Sequence, residues 1–141
     1  MKTIEELETY MTKPSTELVR DIKELDGDIL LLGIGGKMGP TLGKLAVNAV
    51  KEAGVNKRII GASRFSDSSL RAELDQAGIE TITVDLLNDA ELQNLPEVRN
   101  VLYMAGNKFG TAGNEHFTWA MNAYLPGRVA EKFRQSRMVV F

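Results

Sequence analysis

Four consecutive apolar residues, Ile29 to Leu32, run directly into Gly33-Ile34-Gly35-Gly36-Lys37-Met38-Gly39, after which apolar residues recur at helical spacing. A run that is apolar at every position suits a strand buried on both faces, and such strands belong to parallel sheets covered by helices. From Met38 the positions Leu42, Leu45, Ala46, Ala49, Val50 and Ala53 keep the helical repeat, and Gly54 stands where a left-handed C-terminal cap belongs. The segment reads as strand, tight turn and helix, a unit that can bury its apolar faces only by returning across a sheet.

The remaining sequence continues the alternation. Arg58 to Ala62 reads as a second strand, Leu70 to Ala77 as a helix closed by Gly78, and Glu80 to Val84 as a third strand. A short helix over Ala90 to Leu95 stops at Pro96, Val101 to Met104 makes a fourth strand, and a glycine-bearing loop spans Ala105 to Asn114. Glu115 to Gln135 reads as one long helix with Phe117, Met121, Leu125, Val129 and Phe133 on one face, kinked by Pro126 and Gly127. Met138 to Phe141 begins a fifth strand, so the sequence is expected to stop partway through a larger α/β sheet. Ahead of the first strand, Thr3 with Glu6 has the pattern of a capping box, and Ser15 can cap a helix through Leu18, Ile22 and Leu25. The expected organisation is a helical extension over residues 1–27 and one incomplete α/β domain over 28–141.

Composition narrows the function classes. A chain of 141 residues that is 43% hydrophobic has the core of one globular domain. Its 17 Lys and Arg against 19 Asp and Glu give a net charge of −2 with the signs interspersed, so the basic footprint of a nucleic-acid binder is missing. There is no cysteine for a disulfide or thiolate site and a single histidine, His116, so no metal is expected. The acidic N-terminus lacks the apolar core of a signal peptide and no run reaches membrane-spanning length, which predicts a cytoplasmic chain without membrane contact. His116 and Trp119 read as packing at a partly exposed helix start rather than as acid–base groups.

The glycine turn carries the functional argument. Gly33, Gly36 and Gly39 give the spacing G-x-x-G-x-x-G. A tight turn needs a residue free to take positive φ, a pyrophosphate must approach bare backbone, and the helix must pack closely on the strand; glycine serves all three. The helix start adds unpaired N–H groups and the positive end of its dipole, and Lys37 adds charge. The nucleotide-triphosphate loop G-x-x-x-x-G-K-[ST] is broken by Leu31 and Met38, and the dinucleotide fingerprint G-x-G-x-x-G by Met38. A purely structural turn without a ligand is the alternative.

With these glycines, Asp85-Leu86 after the third strand and Met104-Ala105-Gly106 after the fourth, the chain resembles the short-chain dehydrogenase superfamily. It is most similar to the extended branch, the NAD-dependent epimerase/dehydratase family, over roughly Asp28 to Phe141. The resemblance implies a three-layer Rossmann-type α/β sandwich with a parallel sheet in the order 3-2-1-4-5, cut short in the fifth strand. It also implies a dinucleotide held by Gly33, Gly36, Lys37, Met38, Gly39, Ser63, Arg64, Asp85, Leu86, Ala105 and Gly106, with Asn122 at the place of a helical Asn that steadies the active-site region. Leu32, in place of the Thr common before the first glycine, and Pro126-Gly127 depart from the family pattern.

The family's catalytic Ser/Thr and Tyr-x-x-x-Lys fall beyond Phe141, so no catalytic residue is assigned. The resemblance implies a full-length enzyme working by transient hydride transfer to NAD(P) on a small polar substrate such as a sugar nucleotide. A non-catalytic NAD(P)-binding or sensing module is the alternative, and whether the chain itself is an enzyme stays open. Relatives commonly dimerise through helices, which makes a homodimer an expectation; a fragment pairing through an exposed sheet edge is another.

At the end of the second strand an acidic residue would accept the ribose hydroxyls of NAD, whereas an Arg pairs with the 2′-phosphate of NADP. Ser63-Arg64 stands there, which favours NADP and leaves NAD open; a guanidinium stacked on adenine or free in solvent is the alternative. Asp67 reads as a helix cap. Asp85 is open between adenine contact and capping a turn, and Lys108 and Phe109 between bordering the substrate and solvating a loop.

Overall fold

The computed structural model describes residues 3–108 and 110–141. Helices α1 (Ile4–Met11) and α2 (Thr16–Glu24) come first, followed by β1 (Ile29–Leu32), α3 (Gly39–Ala53), β2 (Ile59–Ser63), α4 (Ser68–Ala77) and β3 (Glu80–Thr83). Then come α5 (Asp89–Gln93), β4 (Asn100–Tyr103), α6 (Glu115–Trp119), a π-helical turn (Ala120–Tyr124), α7 (Leu125–Lys132) and β5 (Arg137–Val140). All five strands are parallel, in the order β3-β2-β1-β4-β5 expected from the sequence.

Strand alternation divides the core into two layers. Leu30, Leu32, Ile60, Ala62, Val101 and Tyr103 face one side, where Leu92, Leu95, Leu125, Val129 and Phe133 close over them. Ile29, Leu31 and Ile59 face the other, against Val47, Ala49 and Val50 of α3 and Leu74 of α4. Ile22 of α2 is buried in that second layer with Leu18 and Leu25 packed around it. The caps follow side-chain chemistry: Thr3, Ser15 and Asp67 accept from the amides of Glu6, Leu18 and Ser69, and Gly54 and Gly78 close α3 and α4 at φ of +65° and +95°.

The edges are tied by charge and amide. Lys44 reaches from α3 to Glu8 on α1 and Glu73 on α4. Buried Asn100 donates to the carbonyls of Asp26 and Asp28 at 2.9 and 3.0 Å, fastening the start of β1 to β4. Asp28 accepts from the Arg58 amide at 2.9 Å and from its Nε at 2.8 Å.

Two expectations fail. The segment after Asn114 is not a kinked α-helix running to Gln135; it widens into a π turn at Ala120–Tyr124 and α7 stops at Lys132. Pro126 has no N–H to return to Asn122, and the Leu125 amide instead reaches the carbonyl of Ala120. The break therefore precedes the proline, which sits within the first turn of α7. Trp119 is 72% exposed, so it does not pack as expected.

Ile34 explains the spacing of the glycines around it. It is fully buried, and a Cβ at Gly39 would lie 2.1 Å from its carbonyl oxygen and 2.6 Å from its Cα. Its Cδ1 lies 3.0 and 2.6 Å from where a Cβ would sit at Gly43 and Gly61, so α3 and β2 close around this side chain.

Two outcomes are expected. Gly39→Ala forces backbone against backbone and costs about 3 kcal/mol, read as a lowered urea midpoint at unchanged slope; an unchanged midpoint would mean α3 is free to shift. The Arg58 amide, its first cause, holds the Asp28 pKa below the ordinary carboxylate range. A depressed folded-state pKa gives stability that is complete above the unfolded value, about 3.9, and is lost as pH falls through the folded one. Asp28→Asn should therefore flatten part of the acid limb of the stability profile; an identical acid limb would show that this carboxylate does not contribute.

Candidate functional site

A cleft of about 360 Å³ opens at the carboxyl ends of the strands. Gly33, Gly35 and Gly36 reach it from β1, Ser63 to Asp67 from β2, Val84 to Leu86 from β3, and Met104 to Gly106 from β4. Leu70 of α4 and Met121 of the π turn complete the lining. β1 lies between β2 and β4, so the cleft sits where strand order reverses, the position at which open parallel sheets bind ligands.

The three spaced glycines have three separate physical needs. Gly33 has φ +85°, and a Cβ there would lie 2.7 Å from the Ala105 amide nitrogen. Gly36 borders the cleft and a Cβ would meet nothing closer than the Gly33 carbonyl oxygen at 3.4 Å, so no packing requires glycine there; what its absence of a side chain leaves is bare backbone toward the cleft. Gly39 is the close-packing position beneath Ile34. Gly35, outside the spaced triplet, is less strictly constrained: its Cβ would come 2.5 Å from Ser63 Oγ, a side-chain atom that can turn away. No side chain caps the start of α3.

Ser63, Arg64, Asp85, Leu86, Ala105 and Gly106 are brought together in the cleft with Gly33 and Gly36. Lys37, Met38, Gly39, Lys108 and Asn122 are not part of its lining, and Phe109 lies outside the described residues. Lys37 and Met38 are exposed beside the turn, and Lys108 is exposed on the loop after β4.

Asn122 acts on the cleft through the loop. Its Oδ1 accepts from the Asn107 amide at 2.7 Å and its Nδ2 donates to the Asn107 carbonyl at 2.8 Å, clamping one peptide unit from both sides. Asn107 Nδ2 donates to Thr118 at 3.1 Å. The π turn that presents Asn122 leaves the Met121 carbonyl without its usual amide, because Leu125 bonds Ala120 and Pro126 has no N–H. The buried Tyr103 hydroxyl donates to that carbonyl at 3.5 Å.

Both carboxylates in the cleft already have local partners. Asp67 accepts from Ser69 N at 2.8 Å and Ser69 Oγ at 2.6 Å; the side-chain bond, then the backbone one, lowers its pKa. Asp85 accepts from the Leu87 amide at 3.0 Å, the capping role, while lining the cleft as well. Arg64 has no hydrogen bond or ion pair with a described residue; its guanidinium carbon lies 5.8 Å from the centroid of Phe117.

Phe65, which no sequence signal marked, has φ +47°, unique among the described non-glycine residues. A bulky residue in the left-handed region costs about 1–3 kcal/mol and tends to occur where function holds the backbone. Val84, Leu70, Ser66 and Met121 were also missed, because apolar or small residues at a cleft look like core or loop in the sequence, and Met104, part of the segment after β4, was given no contact of its own. Among the described residues no group of three His, Cys, Asp or Glu could hold a metal, and no helix is long and apolar enough to cross a membrane.

No protein-family model matches the sequence and no curated protein is similar to it. Among solved structures, the enzyme WbmF of Bordetella bronchiseptica, in complex with NAD+ and UDP, is similar at a TM-score of 0.62 and 16% identity. The match covers 84% of this chain and 36% of that one. This chain thus corresponds to about a third of WbmF, and the likeness is one of fold: a Rossmann-type parallel α/β sandwich.

Replacing Asn122 by Leu should loosen the loop after β4. Because the clamp is exposed to water, the global cost should be about 1 kcal/mol, with the Asn107 amide exchanging hydrogen faster than in the parent chain. Unchanged exchange at Asn107 would show that the clamp is not what holds the loop.

Proposed function

We propose that this chain is an NAD(P)-binding Rossmann domain of the extended short-chain dehydrogenase kind, the cofactor-holding part of an enzyme that works by hydride transfer. The observation that carries the reading is Gly36, left without a side chain at the cleft although its surroundings would accept one. A diphosphate can approach that bare backbone at the turn between β1 and α3. WbmF, which shares the fold, was solved with NAD+ and UDP, and that supports a nicotinamide dinucleotide here and a nucleotide-sugar type of substrate.

In this reading Gly33, Gly36 and the start of α3 at Gly39 hold the diphosphate, with Lys37 and Met38 at the edge of the turn. Ser63 and Arg64 flank the adenosine ribose. Asp85, Leu86, Ala105 and Gly106 bound the adenine and the path toward the nicotinamide, and Asn122 steadies that path through Asn107. The bound cofactor would supply hydride chemistry, while these residues bind and orient it. Arg64 favours NADP over NAD, since no described residue fills its donors and neither Asp67 nor Asp85 pairs with it. Lys108 and Phe109 are proposed to border the substrate.

Titration of the chain with NADPH and NADH, followed by nicotinamide fluorescence or heat, should show saturable binding that Gly36→Asp abolishes while the variant stays folded. Arg64→Ala should weaken NADPH about ten-fold or more, the worth of charged hydrogen bonds to phosphate, and leave NADH little changed. A folded Gly36→Asp variant that binds as the parent does would refute the phosphate role of the turn.

A further inference from the structure

The Arg64 contact with Phe117 joins the two sides of the cleft. Arg64 follows β2 on one side of β1, and Phe117 lies on α6, which follows β4 on the other. At 5.8 Å from cation carbon to ring centroid the two attract. A cation–π contact of this kind occupies no carboxylate or carbonyl acceptor. Arg64 therefore keeps N–H donors for an anion while the ring holds its charge.

Among the described residues nothing uses those donors. Arg58 is bound to Asp28 and Glu80, and Arg128 to Asp89 and Glu131, but Arg64 has no hydrogen bond or ion pair among the described residues. The two carboxylates lining the cleft, Asp67 and Asp85, are engaged by Ser69 and by the Leu87 amide. Next to Arg64, the Phe65 backbone sits at φ +47° with its side chain packed against the α3 layer of the core, which fixes the turn that carries the Arg.

We propose that Phe117 is a positioning residue for cofactor selection: by holding the Arg64 guanidinium over its ring it keeps the donors at the cleft rim, favouring a dinucleotide with an extra phosphate on its adenosine ribose. The proposal rests on the dinucleotide reading of the cleft. Phe117 needs no contact with the cofactor, and its effect is confined to the phosphate that Arg64 binds.

The test measures dissociation constants of NADPH and NADH for the parent chain and for Phe117→Leu, Phe117→Met, Phe117→Tyr, Arg64→Ala and the Phe117→Leu/Arg64→Ala pair. Loss of the ring in the Leu and Met variants should weaken NADPH about two- to five-fold, the worth of an exposed cation–π pair, without moving NADH. Phe117→Tyr, which keeps the aromatic face, should keep the parent ratio. In the Arg64→Ala background, Phe117→Leu should change neither constant. An equal loss for both cofactors, or a loss that persists without Arg64, would overturn the proposal while leaving dinucleotide binding intact. A parent chain that binds neither cofactor would remove the dinucleotide reading, and the proposal with it.

Discussion

The close approach of α3 to the end of β1 is the constraint from which the rest of the molecule follows. Ile34 is buried between them, and the space it needs exists only because Gly39, Gly43 and Gly61 carry no side chains. Gly39 is the strictest, since a Cβ there would meet the Ile34 backbone itself and no rotamer change could relieve the clash. Once α3 is seated this way, the turn above it must take the positive φ of Gly33 and pass against the Ala105 backbone. The same packing that stabilises the sheet thus brings the end of β1 against the end of β4 and leaves Gly36 at the cleft.

The opposite wall is shaped by a proline. Because Pro126 has no amide to donate, the helix after the β4 loop opens into a π turn, and that turn supplies both Met121 to the cleft and Asn122 to the loop. Tyr103, at the end of β4, answers the carbonyl the turn leaves over. A local defect in helical hydrogen bonding is thereby built into the site, as π turns often are. Charge follows a similar economy: Asp67 and Asp85 cap turns, and Arg64 keeps its donors open.

Much of this was legible in the sequence because the signals are local. Ile29–Leu32, the glycines and the helical repeat after Met38 announce a buried strand, a turn and a helix; Thr3, Ser15 and Asp67 announce caps, and each does cap. The strand order was reached through the family resemblance rather than from spacing, and the structure has it. What was illegible depends on contacts distant in sequence. Periodicity placed Phe117 on one face of its helix but gave no sign that Arg64, 53 positions earlier, lies over its ring. The Phe65 backbone carries no residue signal at all, since positive φ normally calls for glycine or asparagine. The π turn was misread because a proline was taken to kink a helix at its own position, when the amide it lacks is missed one turn earlier.

The cleft at the strand ends, floored by the glycine turn, is proposed here as a dinucleotide site. The most direct measurement is a two-dimensional amide NMR titration of the folded chain with NADPH. Saturable shifts are expected at Gly33, Gly35, Gly36, Arg64 and Gly106, with the polar hollow beside Lys44 and Asn48 between α1, α3 and α4 unaffected. Shifts confined to that hollow, or an unperturbed spectrum at millimolar NADPH, would contradict it.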